Sequence, residues 1–214
     1  MLALPTNNAP TTNTQATTAA ALPFTVGAYY TTSAPVVEPE VCPFTIITDQ
    51  REGAPYKFTG LLSDIEINPG LPFDFRNLTT DSKKKHRPLF VASKYGHLKT
   101  GDYSIEGMEN LICIERKSKE DLFGTLASGR ERFEREHERM QEFEFAAVVI
   151  ECSLSDALLD PPVWSMLKTE SVMGYATAWP MRYCIPWVWA GNRATAEVYT
   201  FKQLEKFWKE KQGK

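Results

Sequence analysis

The sequence predicts an α/β protein with a central mixed β-sheet flanked by helices. Three observations carry this. Short apolar runs bounded by turn residues recur at 43–49, 111–114 and 146–150. A long stretch with helical spacing, 118–143, separates the second run from the third. The order reads strand, strands with hairpin, helix, strand, helix, strand, helix, which is the pattern of a layered α/β domain. No internal repeat interrupts it, and 214 residues suffice for one domain with a sizeable core.

Residues 1–40 are rich in Thr, Ala, Pro and Asn and lack periodicity. They predict a disordered tail, followed by a folded domain over 43–212. A partner-binding arm around Phe24 to Tyr30 is the functional alternative. The first strand, 43–49, delivers Asp49, with Arg51 and Glu52 just beyond it. The spacer 53–85 is dense in Gly and Pro and fits an extra hairpin or lid. It ends in Lys83-Lys84-Lys85-His86-Arg87, the strongest basic run in the chain. That run reads either as a solvated loop or as a grip on a DNA backbone. Leu89 to Val91 reads as a strand leading to Gly101.

The densest chemistry lies in 101–121, GDYSIEGMENLICIERKSKED. The GMEN turn makes a hairpin between the Asp102 segment and the strand ending at Lys117. Alternation along that strand puts Glu115 and Lys117 on one face and Arg116 on the other. Asp102, Glu115 and Lys117 then converge. Two carboxylates suit a hard divalent cation, and a lysine beside them suits a phosphoryl transition state. The ordinary alternative is a carboxylate–ammonium pair at a strand end. Ser118 and Asp121 resemble a capping box, so a helix starts there. Asp121 is then either a site residue or a dipole-complementing acid.

The helix over 118–143, bent near Ser128-Gly129, packs Leu122, Leu126, Phe133, Met140 and Phe143 on the sheet. The charges of GRERFEREHER read as its solvent face. Ala146 to Ile150 predicts a central parallel strand covered on both sides. Thr169 caps a helix to about Ala178. Pro186 to Ala190 is a strand placing Trp187 and Trp189 on one face, as core or subunit contact or as a base-stacking platform. Asn192 caps a last helix to about Lys211.

These motifs together resemble the XPF-type nucleases of the PD-(D/E)xK superfamily. DxRE is Asp49-Gln50-Arg51-Glu52, GDY is Gly101-Asp102-Tyr103, ERKxxxD runs from Glu115 to Asp121, and GR is Gly129-Arg130. The wording is nearest to small phage- or prophage-encoded members, and the likeness spans about 43–210. It implies a restriction-endonuclease-like fold and an XPF-type nuclease domain over 43–212. It implies Mg2+ or Mn2+ held by Asp102 and Glu115, with Lys117 catalytic. Catalytic supporting roles follow for Asp49, Arg116 and Asp121, with Arg51 and Glu52 beside them. Arg130 is expected to meet DNA, with Lys83, Lys84, Lys85 and Arg87 as further DNA contacts. The implied activity is metal-dependent endonucleolytic hydrolysis of branched, flapped or distorted DNA, by a homodimer. Two other readings stay open: a catalytically inactive DNA-binding or scaffold subunit, and a restriction-type duplex nuclease. No helix-hairpin-helix pair is read in the chain, so selectivity by that route is not expected.

A net charge of −3 argues against a general polyanion binder. It is compatible with a nuclease, whose metal site is itself acidic. Cys42, Cys113, Cys152 and Cys184 form no CxxC and read as reduced core or near-core residues. His86, His97 and His137 are scattered and suggest no zinc site. The sequence has no secretory leader and no membrane-length apolar run, which predicts a cytoplasmic protein without membrane contact.

Overall fold

The computed structural model describes residues 39–63 and 88–213. The N-terminal tract and most of the spacer, with the basic run Lys83–Arg87, lie outside the described residues. Six strands form one mixed sheet. They are β1 (Glu40–Asp49), β2 (Leu89–Gly96), β3 (Tyr103–Ile105), β4 (Ile112–Lys117), β5 (Phe145–Ile150) and β6 (Trp187–Trp189). Their spatial order is β2-β1-β3-β4-β5-β6. β3 is antiparallel to both β1 and β4, while β1–β2, β4–β5 and β5–β6 are parallel. The expected α/β mixed sheet with flanking helices is the observed one.

The helices are α1 (Lys119–Ala127), α2 (Arg130–Met140), α3 (Leu154–Leu159), α4 (Thr169–Tyr183) and α5 (Arg193–Lys211). Side chains at 112 and 114 of β4 point into a core with Phe201 and Leu204 of α5. Cys113, with Ala146, Val148 and Ile150 of β5, points into a second core with α1, α2 and α4. β5 is therefore covered on both faces, which explains its unbroken apolar sequence. Each fully buried Val or Ile there contributes about 1.5–3 kcal/mol of burial. No helix among the described residues is long and apolar enough to cross a membrane.

Caps set the boundaries. The Ser118 hydroxyl accepts from Asp121 N (3.0 Å) to start α1, and Asn192 Oδ1 accepts from Thr195 N (2.9 Å) to start α5. The single helix expected over 118–143 is instead two. A Cβ at Gly129 would stand 3.1 Å from Thr125 Cα, so the close approach that joins α1 to α2 favours glycine. The helix expected to stop near Ala178 continues through Pro180 to Tyr183. Proline forfeits a backbone hydrogen bond and crowds the carbonyl four residues back, but buried Trp179 and Tyr183 hold the last turn to the core. Lys168, not Thr169, is its N-cap. The first strand begins at Glu40 rather than 43, and the strand from Leu89 runs on to Gly96 because it pairs with β1. Cys42, Cys113 and Cys152 are free and buried, whereas Cys184 is free but exposed, at a left-handed helix end.

Candidate active site

The three central strands bring the motif residues to one end of the sheet. Asp102 N donates to Ile114 O (2.8 Å), and Asp102 O accepts from Asp49 N (2.8 Å). The turn before β3 is thus sewn between β1 and β4. Gly101 makes this possible. Its φ is +79°, and a Cβ would fall 2.5 Å from Cys113 Sγ and 3.1 Å from Ile114 O. Tyr103 then anchors the next segment. It is fully buried, its hydroxyl accepts from Tyr56 N (2.7 Å), and its ring stacks on Tyr56.

Asp102, Glu115 and Lys117 line one cleft of about 460 Å³, together with Asp49, Arg51 and Glu52. Arg132, Glu136 and Arg139 of α2 close its other side. Asp102 Oδ2 accepts from Arg116 N at 2.7 Å. Burial, then the charge of Glu115, pushes the Asp102 carboxyl well above the usual carboxylate range. Lys117 Nζ is ion-paired to Glu115 and sits 4.9 Å from the centre of the Phe133 ring. Burial opposes the Lys117 charge, but Glu115 and Glu136 outweigh it and hold the amine well above its ordinary value. Glu115 thus holds Lys117 as a cation in the cleft. Glu136 is pushed up to about 7, first by burial and then by Glu115.

The remaining motif residues have other surroundings. The Asp49 carboxylate accepts four hydrogen bonds, three from Arg51 and one from Leu98 N (2.8 Å). Burial raises its pKa, but these donors prevail and leave it lowered. Arg51 also donates to Leu98 O, which fixes the chain after β2 against β1. Arg116 projects to the opposite sheet face, as alternation requires. It clasps Glu151 through two bonds (2.7 and 2.9 Å) and reaches Glu52 at 3.3 Å. Arg193 of α5 shares Glu151 (2.7 Å), and both guanidinium groups lie over the Tyr56 ring. Asp121 lines the cleft from the first turn of α1 and is exposed, accepting from Ser118 Oγ at 2.8 Å. Arg130 lies outside the cleft lining, its guanidinium 3.5 Å from Tyr175 Oη.

Glu136, Arg132 and Arg139 went unread in the sequence because their helix looked like a salt-bridged solvent face. Their i, i+4, i+7 spacing was the available signal, one stripe beside buried Phe133, His137 and Met140. Glu151 and Arg193 carried no local signal; only the packing of β5 against α5 pairs them with Arg116. Trp187 is buried, and its indole N–H donates to His137 Nε2 (2.9 Å), so it belongs to the core, with Trp189 packed beside it. That removes the base-stacking reading for Trp187; Trp189 is partly buried.

No cluster of three metal-ligating side chains is present among the described residues. The donor set still suits a hard divalent cation. Two carboxylates crowd one cleft, with the protonation of Asp102 favoured by its neighbour's charge, which is the repulsion that such a cation relieves.

The fold and cleft together define an α/β domain, a six-stranded mixed sheet with flanking helices, with acidic and basic side chains lining a cleft at the strand ends. Residues 73–166 match the family model of the ERCC4 domain. That span includes Asp102, Glu115, Lys117 and Glu136, while Asp49 and Glu52 precede it. No curated protein matches the chain significantly. Among solved structures the chain is similar to XPF from Aeropyrum pernix. The match has 19% identity and a TM-score of 0.44 and covers 57% of this chain and 54% of that one. A complex of Aeropyrum pernix XPF with DNA matches at 19% and 0.44, over 56% and 55%. The chain spans about half the length of these solved chains.

Proposed function

We propose that this protein is a DNA endonuclease of the XPF type that hydrolyses phosphodiester bonds with Mg2+ or Mn2+. The observation that carries the reading is the grouping of Asp102, Glu115 and Lys117 in one cleft. The ERCC4-domain match over 73–166 supports it. Asp102 and Glu115 would hold the cation, which supplies Lewis-acid polarisation of the phosphate and a more acidic bound water.

The chain's own groups have distinct tasks. Lys117, oriented by Glu115 and the Phe133 ring, neutralises charge building on the phosphoryl oxygens. Glu136, which lines the same cleft from α2, takes up a proton there as the attacking water is deprotonated. Arg132 and Arg139 hold phosphates along the rim. Asp49, saturated by Arg51 and Leu98, is a positioning residue for the β1 end. Arg116 positions Asp102 through its backbone N–H, and its side chain holds Glu52 at the cleft's edge. Asp121 and Arg130 are assigned to the DNA approach, from the exposed ends of α1 and α2. The basic run Lys83–Arg87 is assigned to contact with the phosphate backbone, and the active form to a homodimer.

The test is a cleavage panel of single strand, duplex, flap, fork and four-way junction with Mg2+ and with Mn2+. Cutting near branch points is expected. Glu115→Gln and Lys117→Ala should each abolish it, by at least about 10³-fold, while thermal unfolding shows a folded protein. Cleavage retained by either purified variant refutes the assignment. Junction binding without cutting under any metal points to the scaffold reading, and discrete fragments from linear duplex to the restriction-type one.

A further inference from the structure

A second cleft, of about 680 Å³, adjoins the first and shares Lys117, Asp121 and Arg132 with it. One side is the exposed surface of α1 at Gly124 and Ser128, and Trp164 lines the other. Trp164 is a large aromatic on the loop joining α3 to α4, and it is 56% exposed. Its neighbour Val163 is exposed as well.

The loop is built to present this ring. Lys119 Nζ donates to Asp160 O (2.8 Å) and pairs with Asp160 Oδ2 (3.0 Å), tying the loop to the start of α1. Pro161 and Pro162 restrict the backbone, and Ser165 N donates to Pro162 O (2.8 Å) to close a turn. On the α1 side, a Cβ added to Gly124 would meet nothing within 4 Å. The cleft therefore has a preset aromatic wall and open space along α1.

Its side chains fit a base. Lys117 and Arg132 are interleaved with Glu120 and Asp121. The exposed indole offers a stacking face, and the two carboxylates accept from the amino donors of a base. We propose that Trp164 and the Gly124 surface of α1 form a subsite for one unstacked nucleobase beside the scissile phosphate. The inference rests on the nuclease reading above and adds to it a base contact beside the cut. In paired duplex every base is stacked and none is available to the ring.

The experiment uses the full chain, with Trp164→Ala, Trp164→Phe and Gly124→Leu. Gly124→Leu raises helix propensity and fills open space, so it keeps the fold while occupying the subsite. A flap substrate carries 2-aminopurine at the unpaired position and is bound in calcium without cleavage. Its fluorescence should be quenched by wild type and by Trp164→Phe, and not by the other two. With Mg2+, the kcat/KM preference for the flap over a duplex of equal length should fall about tenfold in Trp164→Ala and Gly124→Leu, mostly through KM. Wild type that cuts DNA but shows no such preference, or variants that keep it, overturns the subsite and leaves the nuclease reading intact. A Trp164→Ala change in oligomeric state with unaltered quenching makes the ring a contact between copies and also overturns it. A wild type that cuts no DNA with either metal removes the parent reading instead.

Discussion

Replacing Glu136 by Gln tests the electrostatics of the cleft directly. The Glu136 carboxyl lies at about 7 against an ordinary 4.5, because it is buried and faces Glu115. A folded value raised above the unfolded one means that the folded state holds the proton more tightly. The associated stability is full below about pH 4.5 and is lost as pH rises through 7. That difference corresponds to about 3 kcal/mol in the metal-free protein. Gln is neutral at every pH and lacks this dependence. The variant should match wild type at pH 4.5 and exceed it by about 3 kcal/mol at pH 8, in urea unfolding with chelator present. His137 titrates in both proteins and cancels in the comparison. Millimolar Mg2+ at pH 8 should shrink the gap, since a cation beside Glu115 compensates the ionised Glu136. A difference below about 1 kcal/mol at every pH refutes the packing of Glu136 against Glu115 and with it the proton-transfer role.

Two further outcomes follow from the same structure. His137 is fully buried, with Nδ1 bonded to Phe133 O (2.8 Å) and Nε2 accepting from Trp187, so it is neutral with its proton on Nδ1. Burial lowers it to about 4 from 6.5, so it contributes stability above pH 6.5 that is lost as pH falls toward 4, about 3 kcal/mol in all. In Glu136→Gln, where no carboxyl at that position opposes it, stability should drop across this window, and the His137 ring resonances should not shift between pH 8 and 5.5; a shift centred near 6.5 contradicts the buried neutral ring. Gly101→Ala must adopt a positive φ and press on Cys113 Sγ and Ile114 O. It should cost about 2–4 kcal/mol in thermal unfolding and lower cleavage at least about tenfold by displacing Asp102; a variant within about 0.5 kcal/mol of wild type refutes the close approach.

How much was legible beforehand varies with the range of the interaction. Period-two alternation along 111–117 was enough to separate Glu115 and Lys117 from Arg116, because strand geometry is local. The Ser118 and Asn192 caps were readable for the same reason, since a cap and its partner lie three residues apart. The helix break at Gly129 was marked by its residue type, but the separation into α1 and α2 was not, because the glycine is required by contact with Thr125. Trp187 and Trp189 were placed on the right strand, yet their function as core was decided by His137, fifty positions away in the chain.

By itself the sequence determined where β1, β4 and β5 end, where α1, α4 and α5 begin, and that Glu115 and Lys117 share a face, since each depends on backbone periodicity and neighbouring residues; α3 and the end of α4 carried no such signal. Only the tertiary structure decided that Asp49 is saturated by Arg51 and Leu98 and that Arg116 serves Glu151 and Glu52. It alone brought Glu136 of α2 to Glu115 and set Trp164 beside the cleft. Charge and polarity are properties of a residue, but pKa, partner and access belong to its surroundings. Those surroundings come from segments far apart in the chain, joined when the two sheet faces bury their apolar side chains.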